Sequence, residues 1–101
     1  MILRLLPSAR EDLAEGFAFY ERHESGVGHH FLESLFVDID SLAVTAGIHR
    51  KVFGFHRLLS AKFPYAIYYL HNGKEAEIWA ILDCRRDPKF LQRILKSRSI
   101  G

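Results

Sequence analysis

A chain of 101 residues with 49% apolar and 26% charged side chains has the size and balance of one globular domain, here residues 1–101. Its single cysteine, Cys84, excludes an internal disulfide, and no stretch approaches the roughly 18 consecutive apolar residues of a membrane helix. The net charge of +2 is unevenly spread. Residues 1–49 carry three arginines against eight acids, and residues 50–101 carry eleven Lys or Arg against four, the polarity expected where a basic half meets a polyanion or an acidic partner.

The first six residues, MILRLL, read as a short strand that Pro7 stops. Ser8 and Glu11 form the S-x-x-E pattern of a capping box, so a helix is predicted from Ser8. Ala9, Leu13, Phe17 and Tyr20 share one face of it, and Glu11, Asp12, Glu15 and Glu21 turn outward. HESGVG breaks this helix, and a second is predicted from about His29 to Thr45. Its stripe is Phe31, Leu35, Ile39, Leu42 and Ala46, widened by Leu32 and Phe36, with Glu33, Asp38 and Asp40 solvated. The short connection implies an antiparallel helical hairpin.

The period then changes from helical to alternating. KVFGFHRLLS (51–60) reads as a strand, Ser60-Ala61-Lys62 as a connection, and FPYAIYYL (63–70) as a second strand with Pro64 near its start. Asn72-Gly73 suits the two positive-φ positions of a type I′ hairpin turn. AEIWAILD (76–83) is apolar on both faces and is expected to be central and covered. Asp87-Pro88 opens a short helix through about Lys96, with Phe90, Leu91, Ile94 and Leu95 as its apolar side. The order β-α-α-β-β-β-α predicts an α+β domain, an antiparallel sheet packed against the N-terminal helical hairpin.

Six histidines are present without metal-site spacing, and adjacent His29 and His30 diverge by about 100° on a helix; no metal and no cofactor is expected. Cys84 reads as a small apolar filler at a strand end. Arg57 alternates with Phe53, Phe55 and Leu59 on one face, His56 pointing to the other. Arg85 and Arg86 emerge where the central strand ends, near Lys89 and Arg93. Interleaved with Tyr65, Tyr68 and Tyr69, these cations would bind phosphates through guanidinium forks and stack bases on aromatics. The residues allow equally that the arginines pair with Asp83 and Asp87 and that the tyrosines pack on the helices.

Several pieces occur together in order: A-x-x-D-L (Ala9, Asp12, Leu13), Y-E (Tyr20, Glu21) and G-x-G-x-x-F (Gly26, Gly28, Phe31). They are followed by R-x-x-x-x-x-F-P-Y-x-I-Y-Y (Arg57 to Tyr69) and A-I-L-D-C-R-R-D-P (Ala80 to Pro88). This set resembles the RelE/ParE superfamily of toxins from bacterial type II toxin–antitoxin pairs, particularly its plasmid stabilization branch. The resemblance implies a microbial ribonuclease-like core and a small cytoplasmic toxin, with no membrane association, neutralised by a cognate antitoxin.

Its target would be DNA gyrase, poisoned by binding, or mRNA on the ribosome, cut by an endoribonuclease. For the second, the resemblance places Arg57 at a basic position of the second strand and Arg85 or Arg86 at the transition-state arginine. Ala66, Leu59 and Phe90 stand where cleaving members keep further functional groups, so gyrase-type binding is favoured, with His56 a weak substitute acid or base. Tyr65, Lys89 and Arg93 complete the expected surface for target or antitoxin. A family member that binds antitoxin and poisons nothing is the third reading.

Overall fold

The computed structural model describes residues 1–100, the side chain of Ile100 excepted. Its elements are β1 (Ile2–Leu5), α1 (Pro7–His23), α2 (Val27–Thr45), β2 (Lys51–Val52), β3 (Phe55–Leu59), β4 (Tyr65–His71), β5 (Glu75–Asp83) and α3 (Pro88–Ile100). The expected α+β order is present, with one sheet ordered β1-β5-β4-β3-β2. Strands β2 to β5 pair antiparallel, whereas β1 joins β5 in parallel, so the sheet is mixed rather than wholly antiparallel. After β1 the two helices carry the chain across the sheet to the opposite edge, where β2 begins, and β5 returns to lie beside β1.

Helix α1 starts one residue earlier than the capping box indicated. Pro7 opens it, its missing N–H being no loss in a first turn. The Ser8 hydroxyl makes no cap and instead donates to the Trp79 carbonyl at 3.0 Å. Helix α2 takes its cap from a distance: the Glu21 carboxylate accepts from the amides of Gly26 (2.9 Å) and Gly28 (2.9 Å). Glu21 therefore does not simply face water, and the Gly26 and Gly28 bonds hold its carboxyl below the usual range. At Gly28 the helices approach so closely that an added Cβ would stand 2.7 Å from the Phe17 carbonyl oxygen.

The stretch expected as a single strand over 51–60 is a hairpin. Lys51 pairs with His56 and Val52 with Phe55, and the two turn residues, Phe53 (φ 56°) and Gly54 (φ 87°), both have positive φ. These are the two positive-φ positions of a type I′ turn. At residues 72–74 only Gly73 has positive φ, and Asn72 Oδ1 accepts the amides of Lys74 and Glu75 instead. The side chain of Asn72 thus builds that turn in place of the backbone.

Two apolar clusters fill the faces of the sheet. Leu13, Phe31, Leu35 and Leu42 of the hairpin pack on Tyr65, Ile67, Tyr69, Ile78 and Ile81. Phe36 is excluded from this stripe and remains exposed. On the opposite face Leu91 and Leu95 of α3 cover Phe55, Ala66, Tyr68, Ala80 and Leu82, a third layer that explains why β5 is apolar on both sides. Tyr69 pairs with Ile78 and Tyr68 with Ala80, leaving Trp79 as an extra residue, a bulge that turns the following side chains to the other face.

Strand β1 reaches only the Glu75–Ile78 half of β5. Beyond it, helices finish the edge. Asp12 of α1 accepts the Ile81 amide at 2.9 Å, and Arg98 of α3 donates to the Trp79 carbonyl at 3.1 Å. Asp12, expected at the surface, is buried for that reason.

Candidate functional site

The double arginine follows β5 at the point where Asp83 leaves the sheet. Asp83 Oδ1 accepts the Arg85 amide (2.9 Å) and Nε (3.0 Å), and Oδ2 accepts Nη2 (2.7 Å). A planar guanidinium matches a carboxylate in this two-bond arrangement, and it lowers the Asp83 carboxyl from its ordinary value. The Arg85 charge also acts on the hydroxyls of Tyr20 and Tyr65, which places it on the helical-hairpin side. Burial, aided by Asp83, nonetheless pushes Tyr65 up to about 12.

Arg86 goes another way. Its guanidinium stacks over the Phe90 ring, 4.2 Å from the centroid. Together they line a cleft of about 620 Å³ between α1 and α3, with Glu11, Glu15 and Arg22 on the α1 wall and Ile94 on the α3 wall. Asp87 caps α3 through the Lys89 amide (2.8 Å). Lys89, Arg93 and Lys96 follow at helical spacing and are all exposed, forming a basic stripe on the side of α3 away from its buried Leu91 and Leu95.

Arg57 lies on the α3 face, directly across from Tyr68 on β4. Its charge acts on the Tyr68 hydroxyl and on the Cys84 thiol, though desolvation outweighs it and both groups sit above their ordinary values. Cys84 is exposed rather than a packed filler, and its raised pKa makes it a poor thiolate. His56 occupies the opposite face, stacked on Tyr69 with centroids 5.1 Å apart. Its Nδ1 is bonded to the His49 carbonyl at 2.6 Å.

The three arginines take different partners: Arg57 acts on Tyr68 on the α3 face, Arg85 on Tyr20 and Tyr65 on the hairpin face, both reach the Cys84 thiol between them, and Arg86 serves the cleft. Tyr65, Tyr68 and Tyr69 are core residues with relative exposures of 8%, 1% and 0%, because β4 is covered on both faces. They provide no stacking platform for bases. Among the described residues no group of three or more His, Cys, Asp or Glu is arranged to hold a metal.

Sequence reasoning missed Asp12 and Arg98, joined at 2.6 and 2.9 Å. The signal was there: Arg98 lies four residues after Ile94 and seven after Leu91, on the apolar side of α3, and Asp12 lies three after Ala9 on the apolar side of α1. A charge on an apolar stripe implies a buried partner.

Residues 3–88 match the family described as the ParE toxin of type II toxin–antitoxin systems, parDE. The match ends where α3 begins. Among solved structures, the chromosomal ParDE toxin–antitoxin system from P. aeruginosa contains a chain similar to this one. The TM-score is 0.72 at 20% identity, over 80% of this chain and 92% of that one, a likeness of fold. No curated protein matches. No helix among the described residues is long and apolar enough to cross a membrane. With the family match spanning most of the sequence and the fold agreeing with it, the chain belongs to the ParE toxin family of type II toxin–antitoxin systems.

Proposed function

We propose that this toxin arrests growth by binding a macromolecular target, DNA gyrase, in the cytoplasm, and that a cognate antitoxin neutralises it by covering the same basic surface. The separate engagements of Arg85 with Asp83 and of Arg86 with Phe90 support this reading. Cleavage of a phosphodiester needs several groups aimed at one phosphate, since preorganised charge at the reacting centre is usually the largest catalytic contribution. Here Arg85 is neutralised by Asp83, Arg86 rests on Phe90, and His56 faces away from Arg57. What remains free is a binding surface: the exposed Lys89, Arg93 and Lys96 stripe, with Arg86 beside it.

The test is supercoiling by purified gyrase and mRNA cleavage on programmed ribosomes, run on the same preparation. Inhibited supercoiling that is lost in the Lys89→Glu/Arg93→Glu variant, with mRNA left whole, supports the proposal. Ribosome-dependent cuts that disappear in Arg57→Ala would instead make the protein an endoribonuclease. A folded chain that neither arrests growth nor affects either assay would be a non-toxic antitoxin binder.

A further inference from the structure

Three histidines gather around one buried hydroxyl at the side of the sheet away from α3. The Tyr69 hydroxyl, on a residue with 0% exposure, accepts the Gly47 amide at 2.9 Å and meets His49 Nδ1 at 2.5 Å. His56 stacks on the Tyr69 ring, and His71 lies 5.2 Å from His56, centroid to centroid. Gly47, with φ 98°, packs so tightly against His71 that an added Cβ would stand 2.6 Å from its Nε2. The segment from Ala46 to Arg50, which carries the chain from α2 to β2, is thus pinned from two strands.

The Gly47 N–H donates to the Tyr69 oxygen, and His49 Nδ1 satisfies the hydroxyl proton in the tautomer that carries its own hydrogen on Nε2. The surrounding groups do not help His49 become charged. From β3 comes His56, from β4 come His71 and Tyr69, and the described residues include no ion pair between any of these histidines and a carboxylate. Only the carbonyl end of α2 favours a cation there. Burial and the charge of His56 together keep His49 below its ordinary value. Protonating Nδ1 would set a second donor against the Tyr69 oxygen and leave the hydroxyl proton with no acceptor inside the core.

We propose that Tyr69 and His49 form a proton-operated latch: neutral His49 holds the 46–50 segment on the sheet, and protonated His49 releases it. Freed with it are two links to β3, the Arg50 carbonyl that accepts the Arg57 amide at 3.0 Å and the His49 carbonyl that accepts from His56, while β3 stays paired with β4. The latch thereby links acidity to the position of Arg57, one of the basic residues of the toxin, and it does not depend on which target the toxin has.

The sign follows from linkage. A histidine whose folded value is depressed gives stability that is full above its ordinary value of about 6.5 and is lost as pH falls below it. Amide exchange of the full chain, read by NMR as protection factors from pH 7.5 to 5.0, tests the latch. Gly47 and Arg57 should lose protection about tenfold for each unit by which His49 is depressed, while Ile67 in the central strand holds. His49→Gln keeps an acceptor for the hydroxyl and cannot titrate, so its Gly47 protection should stay flat across that range. Tyr69→Phe should leave Gly47 weakly protected at every pH, with dichroism confirming that the chain is folded. Undiminished Gly47 protection in the wild type at pH 5.0, or an equal loss in His49→Gln, would overturn the proposal.

Discussion

Asp12 and Arg98 are 86 positions apart and share two hydrogen bonds of 2.6 and 2.9 Å. The pair ties the first helix to the last across the open edge of β5, and each partner also bonds that strand's backbone. The carboxylate is 7% exposed and the guanidinium 21%, so the bond is neither a screened surface contact nor a fully dry one.

Removing one partner leaves the other charge stranded. Asp12→Ala should destabilise by about 3 kcal/mol, at the lower end for a buried pair because Arg98 retains some water. Arg98→Ala should cost less, since Asp12 keeps the Ile81 amide. Denaturant unfolding of both variants and the double mutant measures the coupling, and additive losses would show the two side chains to be independent.

The two helical glycines should respond to alanine in the same direction and unequally. A Cβ at Gly28 meets the Phe17 backbone, whereas one at Gly16 meets the Phe31 ring at 2.5 Å. Alanine gains up to about 1 kcal/mol in helix propensity, and overpacking of a tight site costs about 1–3 kcal/mol. We expect both variants to be less stable than wild type by chemical denaturation, Gly28→Ala the more so, because a helix backbone yields less readily than a ring.

Phe53 is the one described non-glycine residue with positive φ, a conformation costing about 1 kcal/mol or more for an ordinary side chain. Asparagine tolerates it. Phe53→Asn should therefore raise the melting temperature by a few degrees, and Gly54→Ala should lower it. A fall in both would mean that the half-exposed Phe53 ring contributes more by packing than its backbone costs.

Acid should unfold the protein partly through Glu21 and Asp83. The Gly26 and Gly28 amides lower Glu21, and Arg85 lowers Asp83. Their stabilising contributions are complete above the ordinary carboxylate values of 4.5 and 3.8 and disappear as pH falls through the lowered ones. Glu21→Gln and Asp83→Asn should each flatten the stability profile below about pH 4.5. Unchanged acid slopes, followed by fluorescence of Trp79, would remove these two carboxyls from the account.

The layout of the fold was legible where a local period carried it. The stripe Phe31, Leu35, Ile39 and Leu42 put α2 on the sheet, and Asp87-Pro88 marked the start of α3. What escaped was set by partners distant in sequence. Nothing local to MILRLL says that it pairs in parallel with residues 75–78. Nothing in KVFGFHRL announces a turn through a phenylalanine, when Asn72-Gly73 offered the better local signal. The arginines illustrate the same limit. Alternation assigned Arg57 and His56 to opposite faces correctly, but the direction taken by Arg85 depends on a carboxylate freed by the end of β5.

The pairing of β1 with β5 also has a consequence in time. Ile2 must wait for Glu75, and the edge beyond it waits for Arg98. At roughly 5–20 residues per second of synthesis, β1 stays without its partner for ~4–15 s. Arg98 follows Glu75 by 23 residues, so the edge beyond β1 closes only after the strand pairing itself has become possible.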